Sequence, residues 1–188
     1  NETGEIVDNC QKRPQRLFEE RELSVDECAG YLQKAISLLK SQTAASDGSE
    51  GTLKVIITVS PIRYAKYGYH GSQLSKATLL LAADKLVKEN PGVVSYFPAY
   101  EIMNDELRDY RFYKEDMLHP SEQAVEYIWE RFRATYFGKA AEQFLEDWRP
   151  IREALGHKPF HPESEEHQKF IARTEEKKRQ FEEKYHLL

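Results

Sequence analysis

Lys54-Val55-Ile56-Ile57-Thr58-Val59-Ser60-Pro61 contains a continuous β-branched run that ends at a proline. Such a run is typical of a strand buried on both faces of a parallel sheet. Residues 72–90 carry a helical pattern that stops at Pro91-Gly92, and residues 93–97 form a second candidate strand. A strand, a crossover helix and a strand make a βαβ unit, in which the strands are parallel and the connection is right-handed. The sequence therefore predicts an α/β fold built on a parallel sheet.

A further helix precedes this βαβ unit. Ser24 and Glu27 have the spacing of a capping box, which predicts a helix from there to about Lys40. Residues 41–52 are small, polar and aperiodic, so they predict a flexible surface loop. The side chains expected to pack inward are Val25, Cys28, Ala29, Leu32, Ile36 and Leu39 in this helix, and Leu74, Leu79, Leu80, Ala83, Leu86 and Val87 in the crossover helix.

The last part of the chain is helical and rich in charge. Residues 139–155 predict a helix disturbed at Pro150. Residues 163–188 predict another, whose thin apolar stripe (Phe170, Thr174, Phe181, Tyr185 and Leu188) is more typical of docking on its own domain than on a partner. We therefore divide the chain into an α/β domain over residues 1–137 and a helical extension over residues 138–188.

Composition argues against several classes of protein. The 188 residues carry a formal net charge of −5, which argues against nucleic acid as a partner, because phosphate binding needs a basic face. No apolar run approaches the roughly 20 residues of a membrane span, so we expect a soluble protein. The sequence does not decide between the cytoplasm and the periplasm as its location. Cys10 and Cys28 lack the spacing of zinc ligands, and we expect neither a metal site nor a cofactor.

An aspartate and a histidine stand at the entrance of a helix. Asp116 and His119 precede Pro120, which suits a first helical turn. The helix that follows places Val125, Ile128, Trp129, Phe132 and Tyr136 on one face. A carboxylate aimed at an imidazole fixes the ring tautomer and stabilises the imidazolium, as aspartate does in serine hydrolases. The alternative is a surface loop with an N-capping polar residue, and the spacing alone leaves both open.

The loop after the first strand is aromatic and basic. It begins with Arg63 and Tyr64 and opens at the carboxyl end of a parallel strand, where α/β sheets bind ligands. We therefore expect it on the same side of the sheet as the Asp116–His119 loop. Arg63 could bind a substrate carboxylate or phosphate, or pair with an acid such as Glu101. The charged run from Asp105 to Arg111 is expected to form an ion-pair network that stiffens the loop carrying Asp116.

Several sequence blocks occur here in the order in which one protein family has them. The blocks are residues 59–63, 74–77, 96–102, 105–113 and 116–121, and residues 7–14 are similar to a further segment of that family, which usually has His where this chain has Gln11. Over about residues 4–137 the chain thus resembles the GSCFA-domain family, named after an amino-terminal Gly-Ser-Cys-Phe-Ala motif.

The resemblance implies a branch of the SGNH-type hydrolases with a three-layer α/β/α fold. In that group a serine after the first strand is the nucleophile, and an Asp-x-x-His motif completes the triad. Carried over, Asp116 is the orienting acid and His119 the general base. The candidates for substrate binding are Arg63 and Tyr64, from their place after the first strand, and Asn9, which could donate to an oxyanion. For Asn9 we favour the alternative of an Asx turn before Pro14.

The chain departs from the family at the nucleophile, because it contains no Gly-Ser-Cys-Phe-Ala motif. We therefore expect it to be the carboxyl-terminal part of a longer protein, lacking the amino-terminal strands and inactive alone. We also expect its sheet and helices to leave apolar surface, covered by the missing part or in a homo-oligomer.

Two function classes remain. The first is an acyl-ester hydrolase or acyltransferase with a Ser-His-Asp relay, acting on a small-molecule or glycan acyl ester. The second is a non-catalytic binding or assembly module on the same frame.

Overall fold

The computed structural model describes Gly4 and residues 6–7, 13–46, 53–159 and 163–187. The chain is mostly helical (67%), with a small parallel sheet of two strands, which makes it a mixed α/β protein. It forms two compact units, Asn1–Ile128 and Trp129–Leu188. No helix in the described ranges is both long enough and apolar enough to cross a membrane.

The first unit contains the predicted βαβ arrangement. Its elements in chain order are α1 (Val25–Ser46), β1 (Val55–Thr58), α2 (Gly68–Glu89), β2 (Val94–Phe97), and α3 (Ala99–Glu101), which continues as a π-helix over Ile102–Leu107. The two strands pair in parallel, with Val55 opposite Val94 and Thr58 opposite Phe97. The predicted parallel pairing is therefore confirmed.

The core of this unit lies between α1, α2 and one face of the sheet. Its buried members are Ala29, Ile36, Ala82, Leu86 and Val94, and Val55 and Ile57 pack against them. Alanines on both helices allow their backbones to approach closely, and Leu86 fills the space with no exposed surface. The predicted capping box fixes the start of α1, where Ser24 N–H donates to Glu27 Oε2 (2.9 Å) and Glu27 N–H donates to Ser24 Oγ (3.2 Å).

The prediction that β1 is buried on both faces is wrong for the described residues. Ile56 is 39% exposed and Thr58 is exposed, whereas Val55 and Ile57 face the helices. Because successive side chains of a strand alternate between faces, only the face beneath α1 and α2 is covered. The expected burial of Leu32, Leu39, Leu74 and Leu79 fails as well, since all four are exposed. A periodic pattern identifies a helical face, but burial depends on what lies against it.

Two helix boundaries also differ from the prediction. α1 continues through residues 41–46, which we expected to be loop, and α2 begins at Gly68 rather than at Ser72. Polar residues misled both predictions, because their hydroxyls bond to nearby backbone groups. Ser41 Oγ donates to the Leu38 carbonyl (2.7 Å), and buried Ser72 accepts the Tyr64 N–H (3.1 Å).

The second unit contains α5 (Lys139–Gly156) and α6 (Glu165–Lys184), and α4 (Glu122–Tyr136) ends in it. α5 passes through Pro150 without ending. Part of the predicted apolar stripe docks on α5: Phe181 and Tyr185 lie with ring centroids 4.9 and 4.7 Å from that of Phe144. Phe170 of the same stripe is exposed, and Leu188 lies outside the described residues. These contacts hold the two helices together through aromatic packing.

Two leucines of α2 provide a test of the core. Leu86→Ala should lower the free energy of unfolding by about 2–5 kcal/mol, because it leaves a cavity in a fully buried position. Leu81→Ala removes the same atoms from a side chain that is 57% exposed and should cost less than about 1 kcal/mol. Urea denaturation followed by circular dichroism measures both. Equal losses would contradict the described core.

Candidate functional site

The Asp116–His119 loop is a tight turn closed by main-chain hydrogen bonds. Tyr113 and Pro120 form an isolated antiparallel bridge at its base. Lys114 N–H donates to the His119 carbonyl (2.8 Å), and Met117 has a left-handed backbone conformation with φ 57°. The chain is therefore turned back over a few residues, and the two functional side chains stand on the same short segment.

A second buried cluster anchors this turn. Met103 of the π-helix, Tyr113 at the base of the turn and Ala124 of α4 are buried together. Ser121 caps α4 by accepting the Ala124 N–H (3.3 Å), so the helix begins at Glu122 and Pro120 lies before its first turn, contrary to our prediction. The prediction of which α4 side chains face inward is also wrong in part, because Val125 is 56% exposed while Ala124 is fully buried.

The carboxylate of Asp116 makes three contacts. Oδ1 accepts the backbone N–H groups of Leu118 (2.8 Å) and His119 (2.9 Å), and Oδ2 lies 2.6 Å from His119 Nδ1. The hydrogen bond expected between the two side chains is therefore present. One carboxylate oxygen fixes the backbone of the turn and the other fixes the imidazole.

These contacts keep the carboxyl group of Asp116 ionised. The N–H groups of His119 and Leu118, and then the His119 ring, lower the pKa of Asp116 from 3.8 to about 2. An ionised carboxylate can only accept hydrogen bonds, so Nδ1 carries the proton of the ring. In this tautomer the lone pair of the ring is on Nε2, which has no hydrogen-bond partner among the described residues, and the side chain is 54% exposed. The site thus presents an oriented base to solvent.

The structure brings Arg63 to this turn, as predicted. Its backbone N–H donates to the Leu118 carbonyl (3.1 Å), and its guanidinium donates to the Met117 carbonyl (3.4 Å). The guanidinium carbon lies 4.0 Å from the ring centroid of Tyr113. In the described part of the chain, no carboxylate lies within salt-bridge distance of Arg63, and Glu101 accepts from the Tyr96 hydroxyl instead (2.9 Å). The ion pair between Arg63 and Glu101, which was one of the two alternatives, is therefore not formed.

The other two predicted binding residues are less informative. Tyr64 is half exposed, and its ring packs at a tilt against Tyr67, with centroids 5.2 Å apart. Its N–H bonds to Ser72 of α2, so both contacts place it against the start of that helix. Asn9 lies outside the described residues.

The sequence interpretation missed the part played by tyrosines. Part of the expected charge network is present, since Arg111 pairs with Asp109 at 3.1 Å. However, Tyr113 and Tyr110 contact Arg63, with the guanidinium carbon 4.0 and 5.6 Å from their ring centroids. The alternation of charged and aromatic residues in this run was the available signal, because arginine stacks readily on aromatic rings.

The described residues contain no group of three or more His, Cys, Asp or Glu side chains that could hold a metal ion. The contact between Asp116 Oδ2 and His119 Nδ1 is the arrangement that proton transfer requires, with Asp116 positioning the ring and Nε2 of His119 able to accept a proton.

Comparison with known proteins gives two family matches. A model described as the GSCFA family matches residues 1–132, and a model described as the C-terminal domain of GSCFA domain proteins matches residues 148–188. Neither the curated proteins nor the solved structures provide a match.

The hydrogen bonds of Asp116 predict a titration that separates backbone from side-chain effects. Carbon-detected NMR should give a carboxyl pKa of about 2. His119→Ala should raise this pKa only part of the way to 3.8, because both backbone N–H donors remain. Since the folded-state pKa lies below the unfolded value, the contribution to stability is present above about pH 4 and is lost as the pH falls towards 2.

His186→Asn is the control for this titration, because it removes an imidazole from the other unit at a residue with positive φ, which asparagine tolerates. It should leave the Asp116 titration unchanged. A return to 3.8 in His119→Ala would show that the ring, rather than the turn, holds the carboxylate ionised.

Proposed function

The chain belongs to the GSCFA family, and from this premise we propose that it supplies the acid and the base of a Ser-His-Asp relay. The enzyme is an SGNH-type acyl-ester hydrolase or acyltransferase. Asp116 is the orienting acid and His119 is the general base. The serine nucleophile lies upstream of residue 1, in a segment carrying the motif that this chain lacks.

The observation that carries the proposal is the hydrogen bond of 2.6 Å between Asp116 Oδ2 and His119 Nδ1. A relay requires an ionised carboxylate, a proton on the nitrogen that faces it, and an accessible lone pair on the other nitrogen. The low pKa of Asp116, caused first by the two backbone N–H donors, supports the first requirement. The exposure of the His119 side chain, 54%, supports the last.

The reaction follows from these positions. His119 Nε2 takes the proton of the serine hydroxyl as its oxygen attacks the ester carbonyl, which forms a tetrahedral intermediate. The intermediate collapses, the bond to the leaving oxygen breaks, and Nε2–H returns the proton to that oxygen. Water or an acceptor alcohol then attacks the acyl-serine by the same proton route, giving hydrolysis or acyl transfer. Asp116 stays ionised throughout and stabilises the imidazolium.

We further propose that the first unit is part of a three-layer α/β/α fold. The parallel pairing of β1 and β2 with α2 between them supports this arrangement. So does the apolar surface that the described residues leave uncovered, which includes Ile56, Leu32, Leu74 and Leu81. In the proposal, further strands and helices of the same protein cover these side chains, since exposed apolar patches of this kind are normally buried.

Substrate contacts in the proposal come from Arg63, Tyr64 and Asn9. Arg63 is the best supported, because its main chain is bonded to the turn that carries His119. The substrate is a small-molecule or glycan acyl ester, and the chemistry requires only side chains and backbone donors.

Ester hydrolysis tests the relay. A longer protein that carries the upstream segment should hydrolyse p-nitrophenyl acetate, and the 188-residue chain alone should not. His119→Ala should reduce kcat/KM of the longer protein by roughly 10³-fold or more, because proton transfer to and from the serine is lost. Asp116→Asn should also reduce it strongly, because the wrong ring tautomer is then favoured.

The control is again His186→Asn, which should leave kcat/KM unchanged. Full-length protein that binds a partner but shows no turnover with any activated ester would support the alternative of a binding or assembly module. Turnover by the short chain that survives His119→Ala would contradict the relay.

A further inference from the structure

A small cleft lies beside the Asp116–His119 turn, between the loop after β1 and the π-helix. It has a volume of about 190 Å³ and is lined by Arg63, Met103, Asn104, Arg108, Asp109, Tyr110 and Tyr113. Pockets that hold whole drug-sized ligands measure roughly 300–1,000 Å³, so this Arg63–Arg108 cleft has room for one substituent only.

The first cationic wall of the cleft is preorganised. The Arg63 guanidinium carbon lies 4.0 Å from the ring centroid of Tyr113, and the guanidinium donates to the Met117 carbonyl (3.4 Å). A guanidinium has five N–H donors, so the contact with the ring and one hydrogen bond leave further donors for a ligand. Arg63 is thus held in place by contacts that do not neutralise its charge.

The second cationic wall is built from a strained residue. Arg108 ends the π-helix in a left-handed conformation with φ 44°, and its N–H donates to the Met103 carbonyl (3.3 Å). Glycine or asparagine would adopt this conformation with less strain than arginine. Like Arg63, Arg108 has no carboxylate within salt-bridge distance in the ranges that the structure describes. Arg108 thus combines a strained backbone with a positive charge that no ion pair among the described residues uses.

The carboxylate in the lining does not cancel these charges. Asp109 accepts the backbone N–H of Arg111 (3.0 Å) and pairs with its guanidinium (3.1 Å). Arg111 itself does not line the cleft. Asn104 is also engaged, since its amide nitrogen donates to the Tyr100 carbonyl (2.7 Å). With Asp109 paired, the charge that remains for a ligand is that of Arg63 and Arg108.

From these observations we infer that the Arg63–Arg108 cleft binds an anionic group, either a carboxylate or a phosphate. Guanidinium groups match the planar spacing of oxygens in both. Resting on the proposed function, the inference gives the substrate class: an acyl ester whose acyl or alcohol part carries a negative charge at a distance from the ester carbonyl. Arg63 both bonds to the turn that carries His119 and lines the cleft. A negatively charged group bound in the cleft would therefore lie near the proposed base.

Anion titration tests the cleft without any ester. Sodium acetate and sodium phosphate are added at constant ionic strength, with chloride as the balancing anion. The Nε–H signals of Arg63 and Arg108 are followed by NMR. One of the two anions should give saturable shifts, and whichever binds more tightly identifies the group as a carboxylate or a phosphate. Higher ionic strength should weaken the binding.

Variants separate a built site from general charge. Arg108→Asn keeps the left-handed backbone accessible and should weaken binding about tenfold or more, through loss of a charged hydrogen-bond donor. Arg63→Lys keeps the charge but loses the planar fork, and should also weaken binding. Arg173→Gln removes an exposed cation from α6 and should change nothing. Backbone amide spectra confirm that each variant is folded.

Equal affinity in Arg108→Asn and in the unsubstituted chain, or no saturable shift with either anion, would overturn the inference. Because the titration involves no hydrolysis, its failure is distinct from failure of the relay. If the longer protein hydrolyses esters but the cleft binds no anion, only the proposed substrate class is contradicted. If the cleft binds an anion but the protein hydrolyses no ester, the anion site is supported and the proposed relay is contradicted.

Discussion

The site depends on one carboxylate with two separate tasks. Asp116 Oδ1 accepts two successive backbone N–H groups, and this fixes the turn in which Met117 adopts a left-handed conformation. Oδ2 contacts the His119 ring at 2.6 Å. Because both oxygens belong to one rigid group, the orientation of the imidazole is coupled to the shape of the backbone. The bridge between Tyr113 and Pro120 attaches the base of this turn to the buried Met103–Tyr113–Ala124 cluster.

Local chemistry was predictable from the sequence, whereas burial was not. The capping box at Ser24 and the Asp116–His119 contact depend on residues a few positions apart, and the parallel strands follow from the rule for a strand–helix–strand connection. The exposure of Ile56 and Leu74 depends instead on what lies opposite them, and periodicity carries no information about that. The left-handed conformation of Arg108 was hidden for a different reason: arginine is not a residue that predicts positive φ.

Arg63 connects the two parts of the site by polar and aromatic contacts rather than by an ion pair. Its backbone bonds to Leu118, and its side chain stacks on Tyr113. A contact of guanidinium with an aromatic ring contributes about 0.5–2 kcal/mol, which is comparable to a surface salt bridge or larger. Unlike a salt bridge, it leaves the positive charge available to a ligand. The sequence left two partners open for Arg63, a substrate anion or an acid such as Glu101, and a carboxylate within the protein would have removed the positive charge that a ligand could use.

Two explanations of the Asp116–His119 contact can be separated by what each oxygen does. An aspartate that only shapes a turn needs the two hydrogen bonds of Oδ1 and leaves Oδ2 in water. Here Oδ2 also orders an imidazole that is 54% exposed. Ordering an exposed side chain costs conformational entropy, and exposed ion pairs return little stability. A contribution to folding is therefore a weak reason for this contact. The proposed relay provides a stronger reason, because the contact holds Nε2 in a fixed direction and a general base must be oriented before its substrate arrives.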